Sequence, residues 1–337
     1  MHEARQYAKK ENNIVQCSLC SHRCTIAHGK HGICGVRKNE GGVLYATTYG
    51  LVSAEAVDPI EKKPLFHYLP GTLSYSLGGV GCNFRCEHCQ NWHISQADRD
   101  TTRLIGISPG EGVTRALGSG SASISWTYNE PTIWHEYTLD MGTLARARGL
   151  GTIYVTNGYI TEEALTELAP MLAAFRVDLK AFTDDFYKKI CGGHLQPVLN
   201  ATVRARELGM HIETVTLVIP GLNDSMEEQE SLIRWVIEHL GPQTPMHFSA
   251  FHPDYHMTNR EATPVALLEK ICSRAKELGL RYPYLGNVPH SKYENTYCPA
   301  CGAMLIERRG FSSRITGLDD RQCTSCGETI EIVRHAS

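Results

Sequence analysis

The chain has 337 residues, with 33 Lys and Arg against 36 Asp and Glu and a formal net charge of -3. At 42% apolar and 20% charged residues it has an ordinary globular composition and ample chain to bury a core. The near-neutral balance argues against a nucleic-acid binder held by bulk positive charge. No apolar run approaches the roughly 20 residues that cross a bilayer, and residues 1–13 are charged without an apolar signal core, so a cytoplasmic protein is expected. The unusual number is 13 cysteines. In a long chain with no export signal, thiols bind metal or do redox chemistry more often than they pair as disulfides.

The first element is a cysteine group, Cys17, Cys20, Cys24 and Cys34, in the stretch CSLCSHRCTIAHGKHGICGVR. It has little apolar content, so a metal is expected to hold its shape. Four thiolates suit either zinc or a 4Fe–4S cluster, and the spacing leaves the choice open. His22, His28 and His31 read as surface histidines of a basic loop.

A strand is expected at 73–80, and it runs directly into Gly81-Cys82-Asn83-Phe84-Arg85-Cys86-Glu87-His88-Cys89. This Cys-x3-Cys-x2-Cys loop has no fourth thiolate nearby. Three thiolates on a 4Fe–4S cube leave one iron without a protein ligand, where S-adenosylmethionine can chelate through its amino and carboxylate groups. One electron into the sulfonium then yields a 5′-deoxyadenosyl radical, with the cofactors carrying the hard chemistry. A three-thiolate zinc site or incidental thiols are the plain alternatives.

Further along, strand-like segments at 122–128, 152–156, 175–181, 212–219 and 246–251 alternate with helical patterns. Those patterns fall at 109–117, 131–148, 161–174, 184–208 (interrupted), 225–240 and 264–278. Asp224 with Glu227 reads as a capping box, and Gly149, Gly209, Gly241 and Gly279 sit where helices should stop. Six βα repeats predict a parallel sheet with helices outside it, either an open barrel or a doubly wound sheet. Working residues of parallel barrels gather at the carboxyl ends of strands. Here those ends are polar: Trp126-Thr127-Tyr128-Asn129-Glu130, Thr156-Asn157-Gly158-Tyr159, Asp178-Leu179-Lys180 and His252-Pro253.

The chain closes with Cys298-x2-Cys301, a gap of 21 residues, then Cys323-x2-Cys326. Two knuckles of this kind complete a tetrahedron around one structural zinc, or around a rubredoxin-type iron. Cys191 and Cys272 lie outside any ligand-like spacing and read as small buried apolar residues.

GCNFRCEHCQNWHISQ, WTYNEPTIW, VTNGY, VDLKAF and LGNVPHSKYENTYCPACGAMLIER resemble the radical SAM enzyme of the AmmeMemoRadiSam system, a group similar to pyruvate formate-lyase activating enzymes and other glycyl-radical activases. The likeness extends over nearly the whole chain. It implies an α/β fold: a partial (β/α)6 radical SAM barrel at 71–290, a Cys-rich metal- or cluster-binding segment at 1–70 and a zinc-ribbon-like domain at 291–337. Cys82, Cys86 and Cys89 match the cluster ligands. The resemblance further implies that Tyr128, Asn129 and Glu130 hold the methionine amino group. Thr156, Asn157, Asp178, Lys180 and His252 match positions near the cofactor, and His88 stands beside the cluster, where similar sequences often carry an aromatic. Val155 replaces an aspartate that some activases use to help hold a cation, so no monovalent-cation site is expected. The implied target is hydrogen abstraction from a protein glycine; a small metabolite or a modified RNA is the alternative. The implied partners are AMMECR- and Memo-type proteins and a low-potential electron donor. A non-catalytic zinc adaptor would explain eight cysteines but not the open three-cysteine loop.

Overall fold

One mixed eight-stranded sheet organises the computed structural model, which describes residues 1–98, 100–288 and 291–336. In chain order its strands are β1 (Ala54–Pro59), β2 (Leu73–Gly78), β3 (Ser123–Trp126), β4 (Gly151–Thr156), β5 (Ala174–Asp178), β6 (His211–Val218), β7 (Met246–Ala250) and β8 (Pro283–Gly286). They lie side by side in that order. Strands β2 to β8 are parallel, and β1 pairs antiparallel with β2. Among the described residues β1 and β8 do not pair with each other, so the sheet keeps two edges. Two of the expectations touch undescribed residues: Pro289 and His290 of the LGNVPHSKY stretch, with the 290 boundary, and Ser337 at the chain end lie outside the described residues.

Strands β2 to β7 are the six read from the sequence, with ends trimmed or moved by a few residues. Two strands were not anticipated. β1 is half-exposed along most of its length, so its apolar signal is weak, and β8 is four residues long and begins with a proline. A proline lacks the N–H of a central strand and suits an edge.

Among the described residues, six helices of seven residues or more cover the sheet: α1 (Pro109–Gly118), α2 (His135–Arg146), α3 (Glu162–Leu168), α4 (Leu195–Glu207), α5 (Met226–Leu240) and α6 (Val265–Glu277). The expected helix at 131–148 begins as a tighter 3-10 turn at Pro131–Trp134. α3 stops early because Pro170 follows it and cannot continue the hydrogen-bond ladder. The interruption within 184–208 is a single α turn, a π-helical turn at Tyr187–Cys191, and a left-handed Gly192 at φ 77°. The cap of α5 is Ser225, whose hydroxyl accepts from the Glu228 backbone N–H at 3.2 Å, one residue later than the Asp224–Glu227 pair expected. Extended Ser225 places its oxygen over the first turn, as a cap must. Between sheet and helices, side chains such as Ile124, Trp126, Phe175, Val177 and Phe248 are fully buried. Each such burial is worth about 1.5–3 kcal/mol.

Residues before β1 form two small three-stranded antiparallel sheets. They dock on the strand-end side of the main sheet: Leu19 and Ser21 exchange backbone hydrogen bonds with Thr161 and Tyr159, and buried Arg37 pairs with buried Glu136 of α2 at 2.7 Å. After β8, Met304–Arg309 pairs with Thr296–Tyr297 and Ser312–Ile315. This tail buries Leu305, Ile306, Ile330 and Ile332 against Phe66, Tyr282 and Tyr284. Buried Arg308 donates to the Phe66 carbonyl and to Thr296 Oγ1, each at 2.7 Å, tying the tail to the sheet. None of the described helices is long and apolar enough to cross a membrane.

Candidate active site

The loop that follows β2 turns at Gly81 (φ 88°), where a Cβ would lie 2.6 Å from the Cys34 carbonyl oxygen; only glycine fits. Asn129 braces the same loop, its side chain accepting from Gly79 N–H at 2.9 Å and donating to the Gly81 carbonyl at 3.0 Å. The π-helical turn holds the far side. Arg85 N–H donates to the Cys191 carbonyl at 2.7 Å and Glu87 N–H to that of Ile190 at 3.0 Å. The three cysteines are thus fixed by backbone from two distant parts of the chain.

Cys82, Cys86 and Cys89 face one cavity at the carboxyl ends of the strands, together with His88, Gln90 and Ser95. Residues 127–130 after β3, Thr156 of β4 and Asn157 just past it, and Asp178 of β5 and Lys180 just past it line it from the other strands. Among the described residues, the Cys82, Cys86 and Cys89 sulfurs do not all lie within 4.8 Å of one another. Instead, among the described residues, Cys86, His88 and Cys191 lie within 4.8 Å of one another, all buried. The cysteine trio is therefore splayed.

The electrostatics are set by burial and by a row of charges. Burial pushes the Cys82 and Cys89 thiols above the ordinary range, whereas a hydrogen bond from Cys191, aided by the Lys180 ammonium, holds Cys86 below it. Burial, with Lys180 adding repulsion, drops His88 to about 3, so its imidazole is neutral at pH 7. Arg176, Asp178 and Lys180 alternate along β5 and so share its cavity face. Both cations bond the Asp178 carboxylate, Lys180 at 3.1 Å; against the cost of burial they hold Asp178 below the usual carboxylate range. Glu130 is 2% exposed and accepts from Thr132 N–H, Thr156 Oγ1 and Asn157 N–H at 2.7–2.9 Å. It straps β3 to β4 and still presents an edge to the cavity; burial raises its carboxyl above the usual value despite those donors. Tyr128, at φ 70°, turns its hydroxyl away to Asp58.

His252 departs from expectation. It is exposed, does not line the cavity, and contacts Gln90 Nε2 at 3.2 Å, because β7 ends at Ala250 and the chain then leaves the sheet. Cys191 departs the other way. Expected to be a spare thiol, it packs against Cys86, while Cys272 is indeed a buried core residue of α6. Lys63, Arg176 and Phe311 line the cavity and were not singled out from the sequence. Lys63 precedes β2 in a loop, held by Asp58 and Ser76, and burial drops it to about 8. Arg176 was legible in principle, two residues before Asp178 on the same face. Phe311 comes from the carboxyl-terminal hairpin, and no local pattern ties it to the cavity.

The closing cysteines form a compact set. Cys298 and Cys326 sulfurs are 3.6 Å apart and those of Cys301 and Cys323 3.7 Å apart, with all four within 4.8 Å. A tetrahedron with about 2.3 Å metal–sulfur bonds has edges of about 3.8 Å. The donor set therefore fits one tetrahedral ion. The amino-terminal cysteines line a separate small hollow with Arg37 and Ile133.

A model of the radical SAM superfamily matches residues 77–235. An uncharacterized protein of Methanocaldococcus jannaschii is 45% identical over 335 residues, covering 99% of this chain and 100% of the relative. A probable GTP 3′,8-cyclase of Pyrobaculum aerophilum is 25% identical over 158 residues, covering 45% of this chain and 50% of that protein. The fold is also similar to that of Streptococcus suis SuiB bound to S-adenosylmethionine, with a TM-score of 0.52, 13% identity, and coverage of 71% of this chain and 56% of that one.

Proposed function

Because the chain belongs to the radical SAM enzyme superfamily, we propose that Cys82, Cys86 and Cys89 hold a 4Fe–4S cluster whose fourth iron takes S-adenosylmethionine. When bound, the reduced cluster supplies one electron that cleaves the sulfonium to methionine and a 5′-deoxyadenosyl radical. The observation that carries this reading is the convergence of the cysteine trio and three polar strand ends, those of β3, β4 and β5, on one cavity. Lys180, freed of one partner's worth of charge by sharing Asp178 with Arg176, pairs with the methionine carboxylate. The Glu130 edge and the backbone of residues 127–129 receive the amino group. Asn157, 3.8 Å from Cys82 Sγ and bonded to Asn83 at 2.8 Å, orients the first ligand. Neutral His88 offers a flat face for the adenine.

The sheet with its outer helices serves as a partial (β/α)6 barrel at 71–290. The 291–337 segment is a zinc ribbon whose Phe311 stands at the cavity mouth, and 1–70 is a cysteine-rich cap. We read the enzyme as the radical SAM member of the AmmeMemoRadiSam system, working in an anaerobic or microaerobic cytoplasm with AMMECR- and Memo-type partners and a low-potential electron donor. Its favoured target is a protein Cα–H, as for a glycyl-radical activase, since a glycine radical is delocalised along the peptide. The test is isotope transfer: incubate the reduced enzyme with deuterated candidate substrates and read 5′-deoxyadenosine by mass spectrometry. Label arriving from a glycine-deuterated partner protein supports the activase reading; label arriving only from a small metabolite or an RNA replaces it.

A further inference from the structure

The four amino-terminal cysteines suit zinc or a cluster by spacing alone, and their geometry favours the cluster. Cys17, Cys20 and Cys34 are buried, at 6%, 8% and 9% exposure, and with half-buried Cys24 they wall one hollow. None of them is in a disulfide. Among the described residues, no three of these four sulfurs lie within 4.8 Å of one another, whereas all four ribbon sulfurs do. A single ion draws its thiolates to the edges of one small tetrahedron. A cube of four irons places each thiolate on a different iron and keeps the sulfurs farther apart. Among the described residues, the Cys82, Cys86 and Cys89 sulfurs likewise do not all lie within 4.8 Å of one another.

A second observation comes from Arg37. Its side chain is 1% exposed and lines the hollow. Two guanidinium nitrogens bond Glu136 and one of them the Ile133 carbonyl, but Nε is buried with no hydrogen-bond partner. A buried donor of this kind is costly unless it is satisfied. Sulfide and thiolate sulfurs are acceptors, and a cluster with four thiolates is anionic, which a buried guanidinium complements.

We propose that Cys17, Cys20, Cys24 and Cys34 bind a second, fully protein-ligated 4Fe–4S cluster that accepts a hydrogen bond from Arg37 Nε. This cluster would pack directly on the first cysteine loop: Gly81 abuts the Cys34 carbonyl, and Arg85 donates to the Ile33 carbonyl. With four protein thiolates it has no open iron, so it does not bind S-adenosylmethionine.

The assignment is independent of the radical reading and is tested apart from it. After anaerobic reconstitution with iron and sulfide, the wild type should carry about eight irons and eight acid-labile sulfides in clusters. The Cys82→Ala/Cys86→Ala/Cys89→Ala variant should retain about four of each, with a reduced-state EPR signal that S-adenosylmethionine leaves unchanged. Adding Cys20→Ala and Cys34→Ala should remove the remaining sulfide. Counting sulfide excludes a rubredoxin-type iron in the ribbon, which carries none. A wild type with about four sulfides, or a triple variant with zinc and no sulfide, overturns the proposal; so does sulfide that survives the two added substitutions. The Cys20→Ala/Cys34→Ala pair alone should keep about four irons and a signal that S-adenosylmethionine perturbs, and loss of that perturbation would count against the trio's role instead.

Discussion

Cys191 lies against Cys86, their sulfurs within 4.8 Å, although they belong to different βα units. The contact is built by the π-helical turn at Tyr187–Cys191, whose carbonyls at Ile190 and Cys191 receive the backbone of the Cys86 loop. Single π turns recur at functional sites, and this one places a thiol donor on Cys86 Sγ. In the proposed site Cys191 would be a positioning residue rather than a ligand, because Cys86 would take the neighbouring iron.

Removing that donor should tune the cluster without emptying it. Hydrogen bonds to ligand sulfur make a cluster easier to reduce. Cys191→Ala is expected to keep its iron, shift the reduction potential of the S-adenosylmethionine-responsive signal to more negative values, and slow cofactor cleavage several-fold. Cys191→Ser, which keeps a donor, should recover most of the shift. A redox titration followed by EPR decides it.

The charge row on β5 predicts a binding defect. Asp178 sits between Arg176 and Lys180, so Lys180→Gln removes the cation proposed for the methionine carboxylate, and Asp178→Asn loosens both cations. Each change should weaken S-adenosylmethionine binding by about tenfold or more, or roughly 1.4 kcal/mol, with iron content unchanged. Equilibrium binding to the oxidised, reconstituted protein measures this without turnover.

Much of the frame was legible in the sequence and some of the site was not, for identifiable reasons. β2 to β7 carry β-branched and aromatic runs buried on both faces, and Gly149, Gly209, Gly241 and Gly279 each lie just past a helix end with positive φ. β1 has only a half-exposed alternation to announce it, and β8 is masked by its leading proline. The polar strand ends were visible as a set because each follows a strand directly. Cys191 was invisible because its meeting with Cys86 depends on a π turn that no periodicity signals. His252 follows β7 by two residues and reaches the cavity only through Gln90, because the strand ends at Ala250, one residue earlier than read. Lys63 and Phe311 reach the cavity from a loop and a distant hairpin, through tertiary contacts alone.

Acid should loosen the junction between tail and sheet. His67 is buried with its ring nitrogens against the Glu331 carbonyl and Tyr284 Oη, at 2.9 and 2.7 Å, and burial lowers it to about 4. Its folded value lies below the unfolded 6.5, so the neutral ring stabilises fully above pH 6.5 and that stability is lost as pH falls toward 4. Between pH 6.5 and 5 the loss is about 2 kcal/mol. Urea unfolding of wild type and His67→Asn across this range should show a shallower pH dependence in the variant; equal slopes would remove His67 from the account.

The ribbon should depend on its ion. Its apolar core is small, with Leu305, Ile306, Ile330 and Ile332 at its centre, so one metal bound by the four thiolates should supply much of its stability. One zinc per chain is expected, lost in Cys301→Ala. Hydrogen exchange should then rise across 298–330 while the main sheet stays protected.

The cluster proposed for Cys82, Cys86 and Cys89 would, once reduced, pass one electron to S-adenosylmethionine. The most direct measurement is anaerobic turnover of the reconstituted, dithionite-reduced protein, quantifying 5′-deoxyadenosine and methionine beside a Cys86→Ala control. Release of both products by the wild type and none by the control is the predicted result. Equal, background-level release from the two proteins, with the wild-type cluster intact and reduced, would contradict the account.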